Sequence, residues 1–244
     1  METSKNIKIK INKISSSIKG KFSIDKKLPG IMLIDTPGHE AFKNMRAMGS
    51  KICDLAIVVI DIIDGIKPQT IESFKILKES NIPFFIVLNK LDRIENWVDS
   101  KELSLRKALK KNMNLNNILL SIIEDFKWEL SKENINSEFY FNNKNPQSIY
   151  SIIPISSKTG EGIADVVGMI SYLTFNWMEK KVTFNQITKA CVVHSYLDKK
   201  IGNCLEIILS NGYLNIGDSF YILNYNEPVL MKIKNIYVFE NKKW

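Results

Sequence analysis

Residues 55–92 read LAIVVIDIIDGIKPQTIESFKILKESNIPFFIVLNKLD. Two apolar runs in this stretch, Leu55–Asp61 and Pro83–Asn89, are strand-sized and lack polar alternation, the pattern of strands covered on both faces. Between them, Pro68–Ser80 places Ile71, Phe74 and Leu77 at helical spacing. Working outward, a short apolar run at Ile31–Ile34 leads straight into Asp35, and a further apolar strand, Tyr150–Ser156, precedes a glycine-bounded loop and a helix from Glu161 to about Lys180. Strands alternating with helices imply an α/β fold with a mostly parallel sheet flanked by helices.

The margins of this pattern differ in character. Residues 6–14 alternate strictly between Ile and Lys or Asn, which predicts a half-solvated edge strand. From Trp97 to Pro146 the clear signal is a helical stripe of Leu115, Ile118, Leu119, Ile122, Ile123, Phe126 and Leu130, read as a helix packing on its neighbours; Asn142–Asn145 reads as a surface loop. After residue 181 the period becomes two, with strands expected at Lys189–Tyr196, Cys204–Leu209, Ser219–Leu223 and Val229–Tyr237. Asn211-Gly212 and Gly217-Asp218 are the turn signals between them. The expected domains are a divergent N-terminal segment over 1–27, an α/β domain over 28–181 with a helical insert at about 97–149, and an incomplete antiparallel β-barrel domain over 182–244.

The composition, 45% hydrophobic and 25% charged, is that of a soluble globular chain. No stretch is apolar for long enough to span a bilayer, so no membrane is expected among its partners, and the N-terminus has no apolar signal core. Three cysteines, an odd number without CxxC spacing, point to a reducing, cytoplasmic compartment. The net charge of +8 suits a nucleic-acid or ribosome partner, but the abundance of Lys, Asn and Ile would also arise from AT-rich coding sequence. Charge leaves both readings open.

Three motifs stand at the carboxyl ends of three expected strands, the edge at which open α/β sheets bind ligands. In Asp35-Thr36-Pro37-Gly38-His39, a carboxylate ending a strand can hold hydrated Mg²⁺ beside nucleotide phosphates, and a glycine three residues on lets a backbone N–H approach the terminal phosphate. His39 would then be placed to orient an attacking water. In Asn89-Lys90-Leu91-Asp92, the Asp carboxylate can accept from guanine N1–H and its exocyclic amine, a pair adenine cannot supply. The Lys90 stem can lie along the purine, and Asn89 can tie neighbouring loops together. In Ser156-Ser157-Lys158, backbone N–H groups could reach the guanine carbonyl and Lys158 could cover the other face of the base. Alone, the first and third motifs are common turns or loops and the second carries some specificity of its own; the order and setting of all three carry the guanine-nucleotide reading.

The run containing IDTPGHEAF and continuing to Arg93, together with ISSKTGEGI and SNGYLNIGD, resembles the translational GTPases of the initiation factor 5B family. The resemblance is close over about Leu28–Arg93 and Tyr150–Asp218 and loose between. It implies a GTP-binding protein that promotes ribosomal subunit joining and hydrolyses GTP on the ribosome. GTP or GDP and Mg²⁺ are the implied cofactors, and ribosomal RNA and proteins the implied partners. Carried over residue by residue, it implies Asp35 near Mg²⁺ through water, Gly38 at the γ-phosphate and His39 positioning water. It also implies Asn89, Lys90 and Asp92 reading guanine, with Ser156, Ser157 and Lys158 closing over the base. Initiator tRNA would be contacted only through domains this chain lacks.

The chain departs from that family at its start. The phosphate-binding G-x-x-x-x-G-K-[ST] loop has one near candidate, Ser15–Phe22, but Ser15 replaces the first glycine and Phe22 the Mg²⁺-binding hydroxyl. The expectation is therefore a fragment or an incomplete gene product, with weak GTP binding and negligible hydrolysis by this polypeptide alone. Two other readings stand beside it: a bacterial or organellar initiation factor 2 type GTPase, and a non-catalytic ribosome-binding remnant. A zinc protease is excluded, because His39-Glu40 has no second histidine at the required spacing. His194, in an alternating strand, reads as structural.

Overall fold

The computed structural model describes residues 30–36, 53–178, 186–223 and 227–237. The expected edge strand at 6–14 and the residues Pro37, Gly38 and His39 lie outside these. The chain divides into two compact units, Met1–Val182 and Thr183–Trp244.

The first unit is built on a parallel four-stranded sheet in the order β1-β2-β4-β3. Its elements in chain order are β1 (Ala56–Asp61), α1 (Pro68–Glu79), β2 (Phe84–Asn89), α2 (Leu105–Lys111), α3 (Asn116–Lys132), β3 (Ser137–Phe139), β4 (Tyr150–Pro154) and α4 (Ile163–Trp177). Phe84 to Leu88 are all buried, as a strand with neighbours on both sides and cover on both faces requires. In β1, Val58 and Ile60 are buried while Val59 between them is exposed. Phe74 and Leu77 from α1, and Leu119, Ile123, Phe126 and Leu130 from α3, enter the core, as their helical spacing anticipates.

The helix ends have local causes. Pro68 occupies the first position of α1, where its missing N–H costs nothing. Asn81 (φ 52°) and Asn134 (φ 57°) take the left-handed conformation just past α1 and α3. In each case the next residue returns its N–H into the last turn: Ile82 to Leu77 O and Ile135 to Leu130 O, both at 3.0 Å. This is the paired closure that satisfies the last carbonyls of a helix. The Lys78 ammonium donates to the Asn134 carbonyl at 2.9 Å, joining the two helix ends.

Two expectations for this unit are corrected. Ile31–Ile34 is not a strand; residues 30–36 contain no helix or strand, and Met32 is about half exposed. An apolar run becomes a strand only where a neighbour completes its hydrogen bonds, and among the described residues β1 is paired on one side, to β2. The insert at 97–149 is not purely helical either: its Ser137–Phe139 forms β3 and extends the sheet.

Asp165, in the first turn of α4, is a buried carboxylate that accepts the Leu105 N–H at 2.7 Å. Burial pushes its pKa up, against the opposing effect of that N–H and of the Tyr140 hydroxyl. A carboxyl pKa raised on folding means the folded state holds its proton longer. Stability from this group is therefore full below the ordinary carboxylate range and falls as pH rises through the raised value. Asp165→Asn keeps an acceptor for Leu105 without a buried charge. Relative to wild type, the variant should gain stability as pH rises from 4 to 7. Urea unfolding at the two pH values checks this, and a difference independent of pH would contradict it.

The second unit contains two antiparallel pairs: β5 (Lys189–Asp198) with β6 (Gly202–Asn211), and β7 (Ser219–Leu223) with β8 (Pro228–Lys232). The reversal between β5 and β6 is set by Asp198, whose carboxylate accepts from the N–H groups of Lys200 and Ile201. Asn211-Gly212 does not form the expected tight hairpin turn. Only Gly212 has positive φ (72°), and its missing side chain admits Thr188, whose Cα would lie 2.6 Å from a Cβ there. Gly217-Asp218 does lie in a turn, closed by Asp218 N–H to Asn215 O at 3.2 Å. His194 is exposed on β5 beside Tyr196, and none of the three cysteines forms a disulfide. Among the described residues no helix is long and apolar enough to cross a membrane.

Candidate nucleotide site

Parallel strands deliver the residues that follow them to one edge of the sheet, and here β1, β2 and β4 end at Asp61, Asn89 and Pro154 along one rim. Asn89 ends β2 and the turn after it carries Lys90, Leu91 and Asp92; the loop after β4 carries Ser156, Ser157 and Lys158. Leu91 is fully buried, and its N–H donates to Ile155 O at 3.0 Å, which pins the first loop to the end of β4. Lys90 lies in the left-handed region (φ 70°), turning the chain sharply out of β2 into a single 3₁₀ turn over Leu91–Arg93.

Side chains then join the two loops. Asn89 Oδ1 accepts both its neighbour's N–H, Lys90 at 2.8 Å, and the Ser157 N–H at 3.0 Å. The Ser156 hydroxyl donates to Asp92 Oδ1 at 2.5 Å and accepts the Thr159 N–H at 3.1 Å. Ser156 is fully buried and Asp92 half-buried, so the carboxylate is held by a donor that cannot swing into solvent. Ser157 and Lys158 are exposed at the tip of the loop.

The structure thus brings the second and third motifs together. Of the first, Asp35 is exposed and Thr36 half-buried, and among the described residues no hydrogen bond or ion pair links either to the two loops. An exposed carboxylate suits an ion met through water. Among the described residues no group of three or more His, Cys, Asp or Glu could hold a metal. A Mg²⁺ here would take most of its ligands from phosphate and water, as that ion commonly does.

Two acidic residues in this region escaped the reading of the sequence. Asp61, ending β1, forms an ion pair with Lys90. Burial opposes its ionisation, but the Lys90 ammonium and the N–H groups of Ile63 and Asp64 outweigh burial and hold its carboxyl below the usual range. Glu161, between two glycines in the loop after β4, is fully buried and takes hydrogen bonds from Trp97, Ser100 and Thr159. A carboxylate closing an apolar strand and an acid enclosed by glycines were the available signals.

Residues 1–193 match the family model of the elongation factor Tu GTP binding domain. The chain is 38% identical over 208 residues to eukaryotic translation initiation factor 5B of Saccharomyces cerevisiae, covering 85% of this chain and 21% of that protein. It is 31% identical over 234 residues to the probable translation initiation factor IF-2 of Saccharolobus solfataricus, covering 93% of this chain and 38% of that one. The crystal structure of GDP-bound aIF5B from Aeropyrum pernix superposes with a TM-score of 0.79 at 28% identity, over 91% of this chain and 38% of that one. The chain therefore spans well under half the length of these relatives.

Proposed function

The chain belongs to the family of the elongation factor Tu GTP-binding domain, and from that premise we propose that it is the guanine-nucleotide-binding part of a translation initiation GTPase. Asn89, Lys90, Leu91 and Asp92 read the base, and Ser156, Ser157 and Lys158 close over it. Asp35, Thr36, Pro37, Gly38 and His39 face the phosphates, with Asp35 meeting Mg²⁺ through water and His39 orienting the water that attacks GTP. The nucleotide domain runs over 28–181, and 182–244 belong to a second, β-rich domain. The complete protein would act in the cytoplasm on the ribosome, promoting subunit joining and hydrolysing GTP there.

The observation that carries this reading is the hydrogen bond from Ser156 to Asp92, with Asn89 bridging the same two loops. It orients a carboxylate at the rim, and a carboxylate accepts the paired N–H groups on one edge of guanine, where adenine offers no such pair. GDP binding to aIF5B of A. pernix, a relative of the same fold, is consistent with it.

Amide NMR spectra of the 244-residue chain, titrated with GDP and with ADP, test the proposal even where binding is weak. GDP should shift the amides of residues 89–92 and 156–158, with ADP needing at least about a hundredfold higher concentration for the same displacement. Equal responses to the two nucleotides would overturn the reading.

A further inference from the structure

Glu161 lies in the loop after β4, three residues beyond Lys158, and its side chain is fully buried. Oε1 accepts the Ser100 N–H at 2.9 Å and the Ser100 hydroxyl at 2.5 Å. Oε2 accepts the Trp97 indole N–H at 3.0 Å and the Thr159 hydroxyl at 2.9 Å. Its main-chain carbonyl accepts the Ser156 N–H at 2.9 Å. A buried carboxylate is tolerated only when its lone pairs are matched, and these donors match them from two separate parts of the chain.

Those parts are the loop after β4 and the segment that follows the Asn89–Asp92 turn. Thr159 and Ser156 belong to the loop after β4. Trp97 and Ser100 belong to the segment that leaves Asp92, which descends in steps through Ile94 N–H to Leu91 O and Trp97 N–H to Ile94 O. The segment is also held from behind, where the Asn112 amide exchanges hydrogen bonds with the N–H and carbonyl of Val98, both at 2.9 Å. Glu161 is thus a bracket between the chain beyond Asp92 and the loop carrying Ser156. The short hydroxyl–carboxylate contact between Ser156 and Asp92 depends on that spacing, because hydrogen bonds weaken steeply with misalignment.

The geometry points to Glu161 as a positioning residue for guanine selectivity: it fixes the two loops so that Ser156 holds the Asp92 carboxylate in register with the base. The inference rests on the guanine reading above. Glu161 touches no ligand itself and acts only through Ser156, Thr159, Trp97 and Ser100.

Glu161→Gln preserves volume but offers one oxygen and one amino group, so donors on one side meet another donor. The dissociation constants of GDP and of IDP, which lacks the exocyclic amine read by Asp92, are measured for wild type and variant. GDP affinity should fall about tenfold and IDP affinity less than about threefold, so the preference for guanine narrows. Equal losses for the two nucleotides, or no loss, would overturn the inference, since general loosening of the fold weakens both alike. Trp97→Phe removes a single donor and should act in the same direction by about threefold, and it decides the matter if the first variant does not fold. A wild-type chain that binds GDP no better than IDP would defeat the guanine reading instead. Amide hydrogen exchange without nucleotide then judges Glu161: exchange at residues 157–160 should accelerate at least about tenfold in the variant with β2 unchanged, and unaltered exchange there would reject the role.

Discussion

Asp92→Asn is expected to cost the chain at least about a hundredfold in affinity for GDP and to make XDP the better ligand. An Asp carboxylate presents two acceptors to the N1–H and the exocyclic amine of guanine. An Asn amide turns one of these into a donor, so one hydrogen bond is lost and a donor is left facing a donor, together roughly 3–5 kcal/mol. Xanthine carries a carbonyl where guanine carries the amine, and the amide donor suits it. The Ser156 hydroxyl decides which way the new amide turns. Its oxygen already accepts the Thr159 N–H, so it continues to donate, and the partner it finds is the oxygen at the Oδ1 position. That leaves the amino group of the substituted side chain directed at the base, the orientation xanthine requires. Competition of GDP and XDP against a fluorescent guanine nucleotide measures the switch, and an unchanged ratio of the two would remove Asp92 from base recognition.

The parts of this site that were legible in the sequence are those that local pattern encodes. Phe84–Leu88 reads as a doubly covered strand because its position in the sheet leaves no face for a polar side chain. The motif residues Asn89–Asp92 stand out because they follow such a strand directly. The stripe from Leu119 to Leu130 is legible for the same reason, one face of a helix meeting one core. What stayed hidden depends on partners distant in the chain. Glu161 meets Trp97 and Ser100, 64 and 61 positions earlier, and nothing in their local sequence announces the meeting. Ser137–Phe139 is too short to show a period and becomes a strand only because β4 is there to pair with it. Ile31–Ile34 shows the converse: apolar composition favours a strand without supplying the neighbour that makes one. Asn211-Gly212 has the composition of a hairpin turn, but β6 is already paired with β5 through the reversal at Asp198, which leaves the glycine a different task.

Gly162→Ala should destabilise the first unit by roughly 3 kcal/mol or more, and Gly160→Ala by about 1–2 kcal/mol, although both glycines have positive φ. The shared part of the cost is the left-handed backbone (φ 79° at Gly162 and 87° at Gly160), which an L side chain opposes by about 1–2 kcal/mol. The difference lies in what the new methyl would meet. At 160 it would lie 3.2 Å from Leu103 Cδ2, the end of a side chain that can turn aside. At 162 it would lie 2.4 Å from the Pro154 carbonyl oxygen and 3.2 Å from Ile155 Cα, which are backbone atoms at the end of β4. Relief there means moving the strand end that leads into Ser156, or moving α4, whose first-turn N–H groups, Asp165 and Val166, both bond to the Gly162 carbonyl at 3.1 Å. Neither can shift without disturbing the loop that Glu161 holds. The Gly162 variant should therefore lose stability and base preference together, while the Gly160 variant keeps most of both. Urea unfolding followed by tryptophan fluorescence, with GDP and IDP affinities measured on the same proteins, separates the two positions. Equal losses at 160 and 162 would show that backbone angle, and not the contact with β4, sets the cost.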